Sequence, residues 1–279
     1  MPARILEGKP IAEAIRAELA QEVTAMDRPP RLVALMAGED AGARSYAKMQ
    51  AKAARAVGIE YELRELPVDL SQADLMAAIT EANSDYGIDG IILQMPLPGG
   101  LDATEAQAAI DPRKDVDGVH PLSLGLVTAG RPLLAPCTAQ SAVRLVEESG
   151  AELRGAEVVV VGRSVIVGKP AALMLLDRGA TVTICRSTTR DLAAHTMRAE
   201  ILVVAIGRAQ MIRGDQIKPG AVVIDVGMNW TEDGYVGDVA FDEAVQVASA
   251  ITPVPGGVGP VTVAMLLRNT VEAAKLQRG

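Results

Sequence analysis

One stretch constrains this chain more than any other: Glu157-Val158-Val159-Val160-Val161-Gly162-Arg163-Ser164-Val165-Ile166-Val167-Gly168-Lys169-Pro170. Four consecutive valines leave no polar face, so the segment reads as a strand buried on both sides. That is the environment of a parallel sheet covered by helices. Gly162 ends the strand where the chain must turn tightly, Gly168 lets a helix start close against the sheet, and Pro170 suits that helix's first turn. A strand, a glycine turn and a helix N-terminus together make a site for a phosphate. The spacing is Gly-x-Ser-x-x-x-Gly rather than Gly-x-Gly-x-x-Gly. A tight βα turn without a ligand also fits it, with nucleotide binding the favoured reading.

Strands and helices alternate on both sides of this stretch. Before it, Gly8 to Met26 carries Ile11, Ala14, Ile15, Leu19 and Val23 at helical spacing. Arg31 to Met36 reads as a buried strand, Ala43 to Val57 as a helix capped by Gly58, and Ile59 to Leu66 as a strand. A helix from Ser71, its N-cap, to Asn83 follows, with Asp74 placed for a capping box, and Asp89 to Gln94 forms a third strand. Met95 to Leu101 is a rigid loop, Ala103 to Ile110 a short helix, and Asp111 to Pro121 a charged loop without periodicity; Pro132 and Pro136 extend the irregular region. After it come a helix from Thr138 to Ser149, the organising strand, and strands at 181–185, 201–206 and 221–226. The run from Thr252 to Pro260 is too rich in Gly and Pro for helix or central strand, so a final helix is expected to open at Pro260. The fold class is therefore α/β with two α/β domains, the second a Rossmann-like doubly wound parallel sheet. The expected boundaries are 1–120, completed by 261–279, and 121–260.

Composition removes several function classes. A net charge of −8 argues against nucleic acid as the main partner, while leaving room for a locally positive anion site. Cys137 and Cys185 are far apart, as are His120 and His195, so no metal site is expected. No segment has the apolar length to span a bilayer, and Lys9 and Arg16 interrupt the N-terminal region early; the cytoplasm is the expected location, with both cysteines reduced. His120, His195 and the lone Trp230 are read as structural or surface residues.

In a dinucleotide fold, an acid at the end of the second strand binds the adenosine ribose, and an Arg there marks a 2′-phosphate. Here that strand ends Cys185-Arg186-Ser187-Thr188-Thr189, with no acid before Asp191. Arg186 alone fits a solvated surface charge equally well. Placed opposite Gly162, and with Arg163 and Ser187 beside it, it favours NADP over NAD.

Several motifs then act together: Gln94-Met95-Pro96-Leu97-Pro98, Lys114-Asp115-Val116-Asp117-Gly118, Pro136-Cys137-Thr138, the Val161 to Pro170 turn, Ile224-Asp225-Val226-Gly227, and Thr252 to Pro260. With these, in this order across nearly the whole chain, the sequence resembles the bifunctional 5,10-methylenetetrahydrofolate dehydrogenase/5,10-methenyltetrahydrofolate cyclohydrolase (FolD) family. The resemblance implies a tetrahydrofolate substrate in a cleft between two domains, NADP as cofactor, a homodimer formed through the cofactor domains, and a place in one-carbon metabolism. It implies that Tyr46, Gln94, Asp117, Pro255, Gly256 and Gly257 contact folate, with Asp117 on the donor-rich edge of the pterin. By local sequence alone Asp117 is a turn-former before Gly118. The resemblance also places Gly162, Arg163, Ser164, Val167, Gly168, Arg186, Ser187, Gly207 and Gly227 at the cofactor.

The resemblance has one consequential gap. The family's Tyr-x-x-x-Lys pair lies on one helix, where the tyrosine packs beside folate and the lysine moves protons for hydrolysis. Here Tyr46 is followed four residues on by Gln50, in a register fixed by Lys52-Ala53-Ala54 and Val57-Gly58-Ile59. Lys48 and Lys52 project from other faces of the helix and do not replace the missing ammonium. Gln50 hydrogen-bonds but does not titrate near neutrality. A family serine three residues before the tyrosine is Ala43, the Pro-Cys-Thr-Pro-x-Gly segment reads Pro136 to Ser141 with Ala139 and Ser141, and a histidine before the second-strand serine is Arg186. The expectation is a dehydrogenase whose second, hydrolytic activity is strongly reduced, with Tyr46, Gln50, Gln94 and Asp117 as its catalytic group. The alternatives are full bifunctionality, a non-catalytic folate- or nucleotide-binding protein, and a dehydrogenase of similar architecture for an amino acid or shikimate-like substrate. The last leaves the Gln94 and Lys114–Gly118 motifs unexplained.

Overall fold

The computed structural model describes residues 2–232 and 234–279. In chain order the elements begin with β1 (Arg4–Ile5), α1 (Gly8–Thr24), β2 (Arg31–Ala37), α2 (Ala41–Ala56), β3 (Glu60–Leu66), α3 (Gln72–Ser84), β4 (Gly90–Leu93), α4 (Ala103–Ala109), α5 (Pro121–Thr128) and α6 (Cys137–Ser149). They continue with β5 (Glu157–Val161), α7 (Gly168–Asp177), β6 (Thr181–Cys185), α8 (Leu192–Thr196), β7 (Ile201–Val204), β8 (Val222–Asp225), β9 (Asn229–Thr231), β10 (Gly234–Val236), α9 (Phe241–Ala244), β11 (Ala250–Ile251) and α10 (Val258–Arg278). The chain divides into two units. One contains the N-terminal segment up to Ala12, Val127–Arg131 and Thr138–Thr262. The other contains Glu13–Leu126, Pro132–Cys137 and Val263–Gly279.

The first unit is built on a six-stranded sheet of order β1-β11-β8-β7-β5-β6 in which every neighbouring pair is parallel. The valine strand β5 sits between β7 and β6, and Val158 to Val161 are at most 1% exposed. Burial on both faces is what removes polar residues from such a strand. Val159, Val161, Leu202, Val204, Val223 and Ile251 share one core cluster on this sheet. A separate antiparallel pair, β9 and β10, carries Trp230 edge-on against Tyr235, with ring centroids 4.9 Å apart.

The second unit has a three-stranded parallel sheet of order β3-β2-β4. Central β2 is buried from Leu32 to Ala37, and Val33, Leu35, Leu75, Ile79, Ile91 and Leu93 form the core beneath α3. β3 is an edge strand rich in charge; Glu62 pairs with Arg31 at 2.6 Å and with Arg64 at 2.7 Å, a pattern that discourages further strand pairing. Strand alternation puts Tyr61 and Glu65 on one face of β3. That face meets α2: Glu65 pairs with Arg44, and Tyr61 reaches Gln50. The Ser71–Asp74 capping box forms at the start of α3 as its sequence implies.

The structure adds to and corrects the sequence reading in specific places. α5 occupies part of the stretch expected to be irregular. Pro121 begins it, and His120 Nδ1 accepts the Leu122 N–H at 2.9 Å. α7 starts at Gly168 with Pro170 in its first turn, as the glycine turn implied, whereas α10 starts at Val258, earlier than expected, because Pro260 falls in a first turn where a missing N–H is harmless. β1 and β11 are two residues each, too short to leave a pattern.

Candidate active site

In the three-stranded unit, three elements bring polar side chains to one point. Gln50, on the inward face of α2, is fully buried, whereas Lys48 and Lys52 are exposed. Its Oε1 accepts from the Tyr61 hydroxyl at 2.9 Å and from Gln94 Nε2 at 2.7 Å. Gln94 continues the β4 ladder through its N–H to Leu35 O at 2.8 Å, which fixes its side chain at the strand end. Tyr46 lies one turn before Gln50 on α2. Desolvation above all, then the nearby Cys137 and Asp117, holds its phenol well above the ordinary value, with Gln50 alongside working weakly in the other direction. Among the described residues no hydrogen bond of ordinary geometry reaches Gln50 Nε2, although the Tyr46 phenol lies beside this amide.

The Lys114–Gly118 segment separates its three charges by task. Lys114 Nζ donates to Asn83 O and Asp85 O, both at 2.8 Å, and to Ala82 O at 3.3 Å, closing the C-terminus of α3. Asp115 accepts from His120 N at 2.7 Å and from Gly118 N and Ser123 Oγ, both at 3.2 Å. Asp115, not Asp117, therefore closes the turn before Gly118. The Asp117 carboxylate takes no hydrogen bond from the described residues; burial, reinforced by Asp115, pushes it up to about 7. Asn269 of α10 donates to Val116 O at 2.8 Å and Ala135 O at 2.9 Å, joining this loop to the Pro136-Cys137 segment. Burial raises the Cys137 thiol, which donates to Val116 O at 3.2 Å.

In the six-stranded unit, Gly162, Arg163, Ser164, Lys169, Arg186 and Ser187 line a cavity of about 510 Å³ beside the β5–α7 turn. Among the described residues no carboxylate lines it and Arg163, Lys169 and Arg186 form no ion pair, so its field suits an anion. The turn itself is close-packed: a Cβ on Gly168 would lie 2.2 Å from Gly162 O. Ser164 Oγ accepts from Val167 N at 3.1 Å and Gly168 N at 3.3 Å. The serine thus caps the first N–H groups of α7 from within, and cationic side chains carry more of the anion field than the helix N-terminus does. Val167 is the N-cap residue of α7 and does not line the cavity.

Two buried carboxylates organise the strand ends nearby. Asp238 Oδ2 accepts from Ile206 N at 2.6 Å and Gly207 N at 2.9 Å, and its Oδ1 from Arg208 N at 2.8 Å and Asn229 Nδ2 at 2.9 Å. Asp225 accepts from Gly227 N, Asp238 N and Val239 N at 2.9–3.0 Å. The amides of Gly207 and Gly227 are therefore already engaged. A Cβ on Gly227 would lie 2.3 Å from Asp238 Cγ, so this glycine accommodates Asp238. Pro255, Gly256 and Gly257 belong to a turn in which Gly257 N donates to Pro253 O at 2.9 Å and Gly256 O accepts from Gly8 N at 2.8 Å.

Comparison with known proteins places this geometry. A family model described as tetrahydrofolate dehydrogenase/cyclohydrolase, catalytic domain, matches residues 6–117, and the corresponding NAD(P)-binding domain matches residues 136–278. The chain belongs to the tetrahydrofolate dehydrogenase/cyclohydrolase family. The bifunctional protein FolD of Acidiphilium cryptum is 50% identical over 279 residues, covering 100% of both chains. The crystal structure of the bifunctional FolD enzyme of Campylobacter jejuni is 38% identical, covers 98% of this chain and 99% of its own, and superposes with a TM-score of 0.94. The Trypanosoma brucei methylenetetrahydrofolate dehydrogenase-cyclohydrolase, solved with NADP and an inhibitor, is 38% identical over 100% of both chains, with a TM-score of 0.93.

Within this tetrahydrofolate dehydrogenase/cyclohydrolase framework, Tyr61, Lys169 and Asp238 went unnoticed in the sequence. Lys169 was visible beside Gly168 in the turn. Tyr61 and Asp238 act through contacts across the fold that no local pattern announces.

Proposed function

We propose that this chain oxidises methylenetetrahydrofolate to methenyltetrahydrofolate with NADP, and that its hydrolysis of the methenyl product is strongly reduced. The observation that carries this reading is Gln50: a buried, neutral amide bonded to Tyr61 and Gln94 at the position of the family lysine.

NADP, when bound, supplies the hydride acceptor. Arg163, Lys169, Arg186 and Ser187 fit its phosphates, and the three cations with no lining acid favour the 2′-phosphorylated form. Ser164 keeps the turn in shape; Gly162 and Gly168 let it pack closely. Asp117, without a protein partner, binds the donor edge of the pterin, and Tyr46 packs beside the ring. Loss of a hydride from the methylene carbon leaves the conjugated methenyl cation and releases no proton, so this step asks for positioning and exclusion of water. Hydrolysis asks for more. Water adds to the methenyl carbon with loss of a proton; the carbinol hydroxyl then gives up its own proton as the formyl C=O forms, while a proton goes to the nitrogen whose C–N bond breaks. Tyr46 stays protonated far above neutral pH and the Gln50 amide does not titrate. The Tyr46–Gln50 pair therefore lacks the titrating amine that the family lysine would supply for these transfers.

The protein acts in the cytoplasm as a homodimer formed through its six-stranded units, consistent with the exposed Met228, Trp230 and Tyr235 on that unit. Mixing the purified protein with methylenetetrahydrofolate and NADP tests the activity: reduced cofactor forms. A protein that binds folate yet reduces neither NADP nor NAD is a binding protein, and the proposal fails.

A further inference from the structure

Among the described residues, the buried side-chain N and O atoms without a hydrogen-bond partner are Gln50 Nε2 and His195 Nδ1. The first sits in the substrate-side cluster. An amide oxygen has two lone pairs, and Gln50 Oε1 uses both, for the Tyr61 hydroxyl and for Gln94 Nε2. The opposite end of the same amide is a donor that no hydrogen bond of ordinary geometry satisfies among the described residues, with the Tyr46 phenol lying beside the amide. With Gln94 Nε2 and the Tyr61 hydroxyl both donating to it, the Gln50 oxygen faces β3 and the end of β4, and its nitrogen faces away from them. Leaving a buried donor unpaired is costly, and such sites in native proteins call for a ligand acceptor or a functional reason.

We propose that Tyr61 is a positioning residue of the substrate site: with Gln94 it captures Gln50 Oε1, and so presents Gln50 Nε2 to a neutral acceptor on the substrate. The inference rests on the folate reading above and adds a second polar anchor to it. A pterin ring offers both a donor-rich edge and acceptors, namely its carbonyl oxygen and ring-nitrogen lone pairs. Asp117, an unpartnered carboxylate, matches the donor edge; an uncharged N–H matches an acceptor. Tyr61 is built for this reach. It stands on the face of β3 that the Arg44–Glu65 pair presses against α2, and its phenol spans the gap to Gln50. A half-buried phenol O–H needs a partner, and Gln50 supplies it. Replacing the family lysine thus creates an amide that must be oriented, and Tyr61 orients it.

A double-mutant cycle decides this. Tyr61→Phe keeps the ring and removes the hydroxyl; Gln50→Met fills the amide's volume with neither donor nor strong acceptor. The expected result is that Tyr61→Phe raises KM for methylenetetrahydrofolate by roughly 3–10-fold, with KM for NADP and the melting temperature little changed. In the Gln50→Met background, Tyr61→Phe changes KM for folate by less than about twofold, because the hydroxyl then has nothing to position. An equal effect in both backgrounds overturns the proposal, as does a loss that appears only as lowered melting temperature with both KM values raised together. Should the wild-type protein reduce no cofactor, the dehydrogenase reading fails separately. The same cycle read by calorimetric binding of tetrahydrofolate then still decides Tyr61: a coupled loss of affinity supports it, and additive losses refute it.

Discussion

Gln94 donates to Gln50 at 2.7 Å, so the carboxamide at the centre of the substrate-side cluster is spoken for through its oxygen by a neighbour from another element. A lysine placed there would meet the same neighbour. Gln94 turned over offers Oε1, and the Tyr61 oxygen can accept, so two acceptors are ready for an ammonium. Gln50→Lys is therefore expected to fold and to gain hydrolysis of methenyltetrahydrofolate, by roughly 10²-fold or more over the wild-type protein, within the 10²–10⁴ range typical of acid–base groups. Initial rates of methenyl loss, corrected for the enzyme-free reaction, measure the gain.

With Asp117 in the proposed role, the substrate site gains a pH dependence. Its carboxyl is pushed up to about 7 by burial and then by Asp115. Binding of the pterin donor edge wants the ionised form, so KM for methylenetetrahydrofolate falls as pH rises through about 7 in the wild-type protein. Asp117→Asn gives a high KM with no such fall. The stability effect has the opposite sense. A raised folded-state value favours the protonated form, so the contribution is fully present below the unfolded value near 3.8 and is lost as pH rises through about 7. Unfolding curves across that window are flatter for Asp117→Asn, by the share that Asp117 holds alongside Asp225, which burial also raises to about 7.

Asp238 takes the place of an external anion among backbone amides. It accepts three consecutive N–H groups, those of Ile206, Gly207 and Arg208. In Asp238→Asn, an NH₂ group faces at least one of those donors. The expected cost is about 2–4 kcal/mol, seen as a lower denaturation midpoint. KM for NADP rises as the strand-end loops lose their anchor, while KM for folate changes less.

Arg186 and Lys169 line the acid-free cavity. Arg186→Ala is expected to reduce kcat/KM for NADP by roughly 10–100-fold through loss of a charge-assisted contact to the 2′-phosphate, and to leave NAD nearly unchanged. Paired kinetics with the two cofactors check this; equal losses with both would place Arg186 elsewhere.

The sequence made some of this legible for clear physical reasons. A strand buried on both faces must be apolar throughout, so Val158 to Val161 announced the sheet. Ser71 and Asp74 announced a helix start because capping is local. The helix onset at Val258 was obscured because Gly and Pro are read as breakers but are harmless in a first turn. β1 and β11 exist only because each pairs with a distant segment. At the site, Gln50 stood out by its position four residues after Tyr46. That its amide would be bonded on one end and bare on the other needed Tyr61 and Gln94 in space. The same holds for Asp117: its lack of a protein partner became visible only once Asp115 was seen to close the turn.

A single spectroscopic time course follows reduced cofactor and methenyl product together, starting from methylenetetrahydrofolate and NADP. The expected result is that methenyltetrahydrofolate accumulates in step with reduced cofactor and then decays no faster than in an enzyme-free control. Reduced cofactor forming while methenyl is consumed well above that control would contradict the assignment of Gln50 and make the protein a full dehydrogenase/cyclohydrolase.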